Sequence, residues 1–407
     1  MENNKPFSDK NLLLLVTLRE HQYIDYLAGD LEKYFKRTHV FNFIGYSREH
    51  GLSATEDRIR ELIRENDIYL VLVIQLATDF ELSPEYYASL RGPAKLVFWF
   101  FDDDMYFSAV SKYYAAAADA VMTHDYFPSL AYKQLGIPSI YATPIYDPEI
   151  FHPVPAAKDI DVCCVCDCTK ADRMEYIDFL TAGGIKVETY GHGSKNGFLP
   201  EERDISAIYS RSRIVITFSR LDKPRWPVSD DPLLERVRQN KGHFAQIALT
   251  RSFCLSEYAP ALNLIAGIGS EVAVFNDKNE LLSQVRYYLA HDKEREEMAD
   301  RAYETAKRTF VGAVAFPKLL HELRKTLDDQ APVEPGASPP ALSAAFRSNI
   351  VNGLTFSFFI LLGEGRFSNA GELLTRLFRC GPRAFLSGFP AGTIRALTVF
   401  FHKLTGG

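Results

Sequence analysis

The most restrictive feature of the chain is a series of short, wholly apolar runs set between segments of helical period. Residues 11–17 read NLLLLVT, 68–74 IYLVLVI and 95–101 KLVFWFF. A strand with one wet face alternates polar and apolar residues, whereas a strand covered on both faces does not. Such runs predict strands of a parallel sheet, which needs a crossover, usually a helix, between successive strands. The segments between the runs satisfy this. Ile24, Leu27, Leu31, Tyr34 and Phe35 put one apolar face on a helix over 23–35, and 57–66 and 110–118 also read as helices. Further strands are expected at 40–44, 119–123 and 139–142.

The pattern stops at 146–155, YDPEIFHPVP, with three prolines in ten residues, and then restarts. Strands are expected at 161–166, 187–190, 214–218, 253–255 and 271–275, with helices at 172–182, 208–212, 241–250, 278–290 and 293–310. Asp277 and Glu280 form a capping box at the start of the helix over 278–290. The fold class is therefore α/β: two Rossmann-like, doubly wound parallel-sheet domains, 1–145 and 159–329, joined by a linker over 146–158. Domains of this kind turn the carboxyl edges of both sheets toward a shared crevice, where ligands dock. Residues 330–340, QAPVEPGASPP, are a second linker by composition. A helical tail, 341–407, follows.

Composition narrows the function. A net charge of −6 over 407 residues gives no reason to expect a nucleic-acid partner. The polar start at 1–10 and the short apolar run after it predict no signal peptide. The apolar runs predict no spanning helix, because none reaches the ~18 residues required. Cys163, Cys164, Cys166 and Cys168 crowd one expected strand, where alternation sends the last three to one face. That spacing fits buried reduced thiols in a cytoplasmic protein better than a zinc site, and no metal is expected. The tail holds seven Lys or Arg against two Glu, which leaves the rest of the chain at −11. Its basic, aromatic runs, such as 354–362 (LTFSFFILL), can lie on a membrane or pack on a protein surface. The sequence favours contact with a membrane or partner, peripheral to the inner face.

Glu257 and Tyr258 follow the apolar run Phe253-Cys254-Leu255, where a parallel sheet opens its ligand-binding edge. A carboxylate there, beside a loop loosened by Gly267 and Gly269, suits the gripping of sugar or ribose hydroxyls. Residues 220–239, irregular and polar with Trp226 among them, read as a surface loop over a site. The turn after the first strand, Leu18-Arg19-Glu20-His21, lacks the glycines of a dinucleotide fingerprint, which argues against an oxidoreductase.

Four segments in order resemble the group 1 glycosyltransferases of GT-B fold, and most closely their spore-maturation-protein-like branch. They are 141–153 (YATPIYDPEIFHP), 161–173 (DVCCVCDCTKADR), 187–193 (VETYGHG) and 241–288. Ile145 and Tyr146 stand where the family's interdomain segment has glycine. The uncharged Gln246 stands where a glutamate often begins the donor-core helix.

The resemblance implies transfer of a sugar, of hexosyl type, from a nucleotide-sugar donor on the second domain to a glycan, lipid-linked or protein acceptor on the first. The nucleotide sugar is a substrate, and no cofactor is implied. Donor contacts fall on Arg173, Gly191, His192, Gly193, Lys241, His243, Gln246, Glu257 and Tyr258. Lys241, His243 and Arg173 (with Lys170 near it) are candidates to neutralise the diphosphate at helix starts. Gly191 and Gly193 would admit close backbone approach. The base for the acceptor hydroxyl is sought at Asp102, Asp103 and Asp104, or at His124 with Asp125. Three crowded carboxylates should raise the pKa of at least one. Two other functions stay open: a non-catalytic scaffold that binds a nucleotide sugar or glycan, and a membrane-associated assembly protein acting through its tail.

Overall fold

The computed structural model describes residues 5–17, 22–75, 80–199, 201–221, 226–229, 231, 233–240, 242–329 and 342–405. Two parallel sheets form its frame. The first has six strands, β1 Phe7–Val16, β2 Phe35–Asn42, β3 Ile68–Ile74, β4 Lys95–Phe100, β5 Ala120–Thr123 and β6 Ser139–Tyr141, in the order β2-β1-β3-β4-β5-β6. The second has five, β7 Ile160–Val165, β8 Val187–Tyr190, β9 Ser212–Thr217, β10 Cys254–Glu257 and β11 Ala273–Phe275, in the order β11-β10-β9-β7-β8. In each sheet the chain first winds one way and then the other. The winding reverses between β1 and β3, and again between β7 and β9.

The expected double winding is thus present, and the apolar runs account for it. Leu12, Leu13, Leu14 and Leu15 are fully buried on both faces of β1, as are Leu70 to Val73 in β3. Boundaries differ where local period misled. The spacing through Tyr34 and Phe35 does not continue the helix, which ends at Leu31. Phe35 instead opens β2 and stacks on its register partner Phe7, with ring centroids 4.9 Å apart. The strand expected at 40–44 stops at Asn42, whose side chain accepts from Gly45 N at 2.6 Å and caps a helix, Phe43–His50.

The chain forms two compact units. One contains Met1–Ala142, Lys223–Leu234 and Pro317–Gly407, and the other Thr143–Asp222 and Glu235–Phe316. In the second unit the proline-rich stretch is ordered: Tyr146 N donates to Phe310 O at 2.8 Å, and Phe151 is buried.

The tail folds as three helices, Ala344–Gly363, Phe367–Arg379 and Pro382–Thr405. Two of them, over Ala344–Gly363 and Pro382–Phe401, are long and apolar enough to cross a membrane by length and composition alone. This corrects the expectation that no segment reaches that length. Gly353, Gly388 and Gly392 sit inside helices rather than breaking them. The first two tail helices complete the core of the first unit. Phe346, Val351, Leu354, Leu361, Leu373 and Leu377 pack into the cluster that holds Phe98 and Tyr114. Glu372 receives hydrogen bonds from the backbone of Leu52 (2.9 Å) and Ser53 (2.7 Å) and so caps the helix Leu52–Glu65.

Candidate functional site

In a doubly wound sheet the adjacent strands that lead off in opposite directions leave an opening at their carboxyl ends, and ligands bind there. In the second unit those strands are β7 and β9, so the opening lies between 166–169 and 218–220.

Glu257 ends β10 beside it, with 2% of its surface exposed. Its carboxylate accepts from Ser219 N (3.0 Å), Ser219 Oγ (3.1 Å), Arg220 N (3.1 Å) and Arg220 Nε (2.6 Å). Arg238 Nε lies 3.7 Å away. Residues 220 and 238 also form an antiparallel bridge, and Gln239 N donates to Ser219 O at 2.8 Å. The two ends of the irregular loop are therefore zipped together at the sheet edge. The Arg220 guanidinium lies 4.9 Å from the centre of the Tyr176 ring and donates to the Tyr176 hydroxyl. One buried carboxylate thus fixes two half-exposed guanidinium groups, a local excess of positive charge that suits an anion. The carboxylate expected to grip hydroxyls engages protein donors with both of its oxygens.

Tyr258, next in the chain, is exposed, and its carbonyl accepts from Ser219 Oγ at 3.0 Å. Arg173 is buried in the first turn of the helix Ala171–Ala182, with Nη1 3.4 Å from Asp167 O and no hydrogen-bond partner for Nε. Its charge helps hold the Cys166 thiol down at about 7, after the larger effect of a hydrogen bond with Cys164. All six cysteines are free. Gly191 and Gly193 have φ of 113° and 70°. A Cβ on Gly191 would stand 2.3 Å from Cys166 O, and one on Gly193 would stand 2.8 Å from Thr169 Cγ2. The close approach these glycines allow is to the end of β7, while His192 between them is exposed. Lys241 lies outside the described residues. His243 opens the helix His243–Leu249 and Gln246 lies within it, both half-buried.

In the first unit, β4 and β5 carry the acidic residues at their carboxyl ends. Asp102 is exposed, in left-handed backbone with φ 53°. Asp103 is wholly buried, and its Oδ2 accepts from Tyr132 Oη at 2.8 Å. Asp104 N donates to Asp125 Oδ2 at 3.1 Å. Burial pushes the Asp103 carboxyl up to about 6. Burial, reinforced by Asp103, pushes Asp104 up to about 7. Asp125 is raised well above the usual carboxylate range by burial and by Asp104. His124 points elsewhere: its Nδ1 lies 2.8 Å from Ala142 O, and burial lowers its pKa to about 4, so the ring is neutral.

The structure therefore brings Asp102, Asp103 and Asp104 together with Asp125, and Glu257 with Arg220 and Arg238. It does not pair His124 with Asp125 by a ring hydrogen bond. The two arginines lie at the ends of 220–239, where the sequence predicts only a surface loop over a site. A readable signal existed, since basic residues flank both ends of an irregular segment that follows a buried strand.

Residues 167–312 match the model of a family described as glycosyl transferase-like. No curated protein matches the chain. Among solved structures, a glycosyltransferase from Rickettsia africae aligns at 11% identity with a TM-score of 0.54, over 79% of this chain and 99% of that one. A sucrose-phosphate synthase from Thermosynechococcus elongatus gives 9% identity and 0.56, over 79% and 100%. HepE from Anabaena, in complex with UDP, gives 12% identity and 0.56, over 78% and 100%. These likenesses establish the fold as GT-B.

Proposed function

We propose that this chain is a GT-B glycosyltransferase that moves a hexosyl group from a nucleotide-sugar donor to a glycan, lipid-linked or protein acceptor without a metal ion. By its motifs it is most similar to the spore-maturation-protein-like branch. The observation that carries the reading is the pair Arg220 and Arg238, held on buried Glu257 at the switch-point edge of the second sheet. Transfer breaks the bond between the anomeric carbon and the diphosphate oxygen, and the leaving group departs with added negative charge. Cations already fixed in place stabilise that charge without reorganisation. Arg173, Lys241 and His243 supplement them. Glu257 is a positioning residue in this scheme, and Gln246 and Tyr258 are left for the hydroxyls of the donor.

An inverting transfer also needs a base for the acceptor hydroxyl. The half-buried Asp104, sharing its environment with Asp103 and Asp125, titrates near neutrality, where a general base is most effective. The exposed Asp102 is the alternative.

Calorimetric titration with a panel of nucleotide sugars tests the reading. One saturable site is expected, weakened at least ten-fold by Arg220→Ala. Binding of no nucleotide sugar would end the reading, and unchanged affinity in the variant would move the diphosphate away from Arg220. Glu257→Ala is expected to lose stability as well as affinity, by roughly 1–3 kcal/mol, because it leaves the buried donors of Ser219 and Arg220 N without an acceptor.

A second reading, a scaffold that binds the donor without transferring it, draws support from the uncharged Gln246 and from the engagement of Glu257 by its own protein. Donor hydrolysis by the purified chain separates the two. The membrane contact expected of 341–407 rests on other residues and is independent of this site.

A further inference from the structure

The third tail helix, Pro382–Thr405, carries large apolar side chains outward as well as inward, unlike the usual surface helix. Its inner face joins half-buried Phe385 and Phe389, which pack on the core, to a row of small residues. Ala384 and Ala396 are buried, and the space a Cβ would take at Gly388 and Gly392 lies 2.4 Å from Ser348 O and 2.5 Å from Asn352 O. That face lets the helix lie close along the first tail helix. The outer face carries Leu386, Ile394, Leu397 and Phe401, exposed by 74%, 65%, 49% and 64%, together with exposed Pro390. At about 100° per residue these five lie within about 80° of one another, opposite the small residues. They form a stripe about 22 Å long. Exposed Arg383 extends the same arc at its start.

We infer that this outer stripe is a docking face for an anionic lipid bilayer, on which the helix lies in the plane of the surface. Two arguments choose the occupant. The first is charge. The tail carries seven Lys or Arg against two Glu while the whole chain is at −6, so tail against tail would oppose like charges and an anionic surface attracts it. The second is area. A stripe about 22 Å by 10 Å presents about 220 Å², far below the roughly 800 Å² per partner of a stable protein interface. An in-plane helix needs no more than one such face to bind lipid. Spanning is ruled out for the pair of long tail helices, because Phe346, Val351, Leu354 and Leu361 of the first are part of the protein core. The proposal does not depend on the donor site.

Vesicle co-sedimentation of the full chain tests it, with phosphatidylglycerol-containing and pure phosphatidylcholine vesicles at low and high salt. The chain is expected to pellet with the anionic vesicles, at least ten-fold more weakly with the neutral ones, and less at high salt. The double variant Ile394→Asp/Leu397→Asp should lose binding at least ten-fold, and Arg383→Glu should weaken it. All these positions are exposed, so an unchanged thermal melt is expected and verifies folding. The proposal is overturned if the chain ignores anionic vesicles, if it binds neutral ones equally well, or if the double variant pellets like the parent. A dimer in analytical ultracentrifugation that the double variant dissociates, without vesicle binding, would assign the face to a second copy of the chain.

Discussion

Asp104 shows how a single position ties stability to chemistry. Unfolded, its carboxyl titrates near 4; folded, it is pushed up to about 7, first by burial and then by the charge of Asp103. Between those pH values the folded chain holds a proton that the unfolded chain has released. Its contribution therefore favours folding at low pH and is lost as pH rises from about 4 to 7. Asp104→Asn is accordingly expected to stabilise the protein at pH 8, on the order of 4 kcal/mol, and to change little at pH 4. Thermal melts of both proteins at the two pH values measure this, and an equal shift at both would mean that the carboxyl titrates normally. His124 works in the opposite sense: burial holds its pKa to about 4, so the stability it confers is lost as pH falls from about 6.5 toward 4. If Asp104 is the base, the same Asn variant slows transfer without weakening donor affinity.

At the scale of elements, the helix Pro382–Thr405 depends on its glycines. A Cβ at Gly388 would meet Val351 Cβ at 2.8 Å as well as Ser348 O at 2.4 Å, and neither the backbone nor a packed β-branched side chain yields cheaply. Gly388→Val should thus cost about 1–3 kcal/mol by overpacking, or a melting temperature lower by roughly 2–4 °C per kcal/mol. Leu386→Val, at an exposed position two residues earlier, is the control and should change little. The loop between β9 and the helix His243–Leu249 shows a different dependence. Its ends are held by Glu257, a residue of a neighbouring strand, and the Val228 backbone pairs with both side-chain atoms of Asn349 at 2.9 and 3.0 Å. At its described residues, distant polar groups satisfy the backbone of this irregular segment.

At the scale of the whole molecule, the tail is no appendage. Among the side chains it buries in the first unit are six large apolar ones, Phe346, Val351, Leu354, Leu361, Leu373 and Leu377. At roughly 1.5–3 kcal/mol each, together they match or exceed the roughly 5–15 kcal/mol by which a typical domain is stable. A chain cut after residue 340 is expected to lose the cooperative melt of the first unit and to aggregate, as judged by calorimetry and sedimentation. Retention of a native melt in the truncated chain would show that the tail only decorates the fold. Membrane binding is for this reason better probed by point variants on the outer stripe than by truncation.

The double winding of both sheets was legible in the residues themselves, because burial on two faces demands unbroken apolar runs such as 11–17 and 68–74, and nothing else in a folded chain uses them so regularly. The edge carrying Glu257 and the crowded carboxylates at 102–104 were legible for the same reason, being the polar residues that end such runs. What Glu257 does with its charge was not, since its partners Arg220 and Arg238 lie 37 and 19 positions away on a loop without period. Nor was the use of the tail: apolar composition predicts that a helix buries a face, but which face turns inward depends on the surface it meets, here one that accepts Ala384, Gly388, Gly392 and Ala396 and leaves Leu386, Ile394, Leu397 and Phe401 outside.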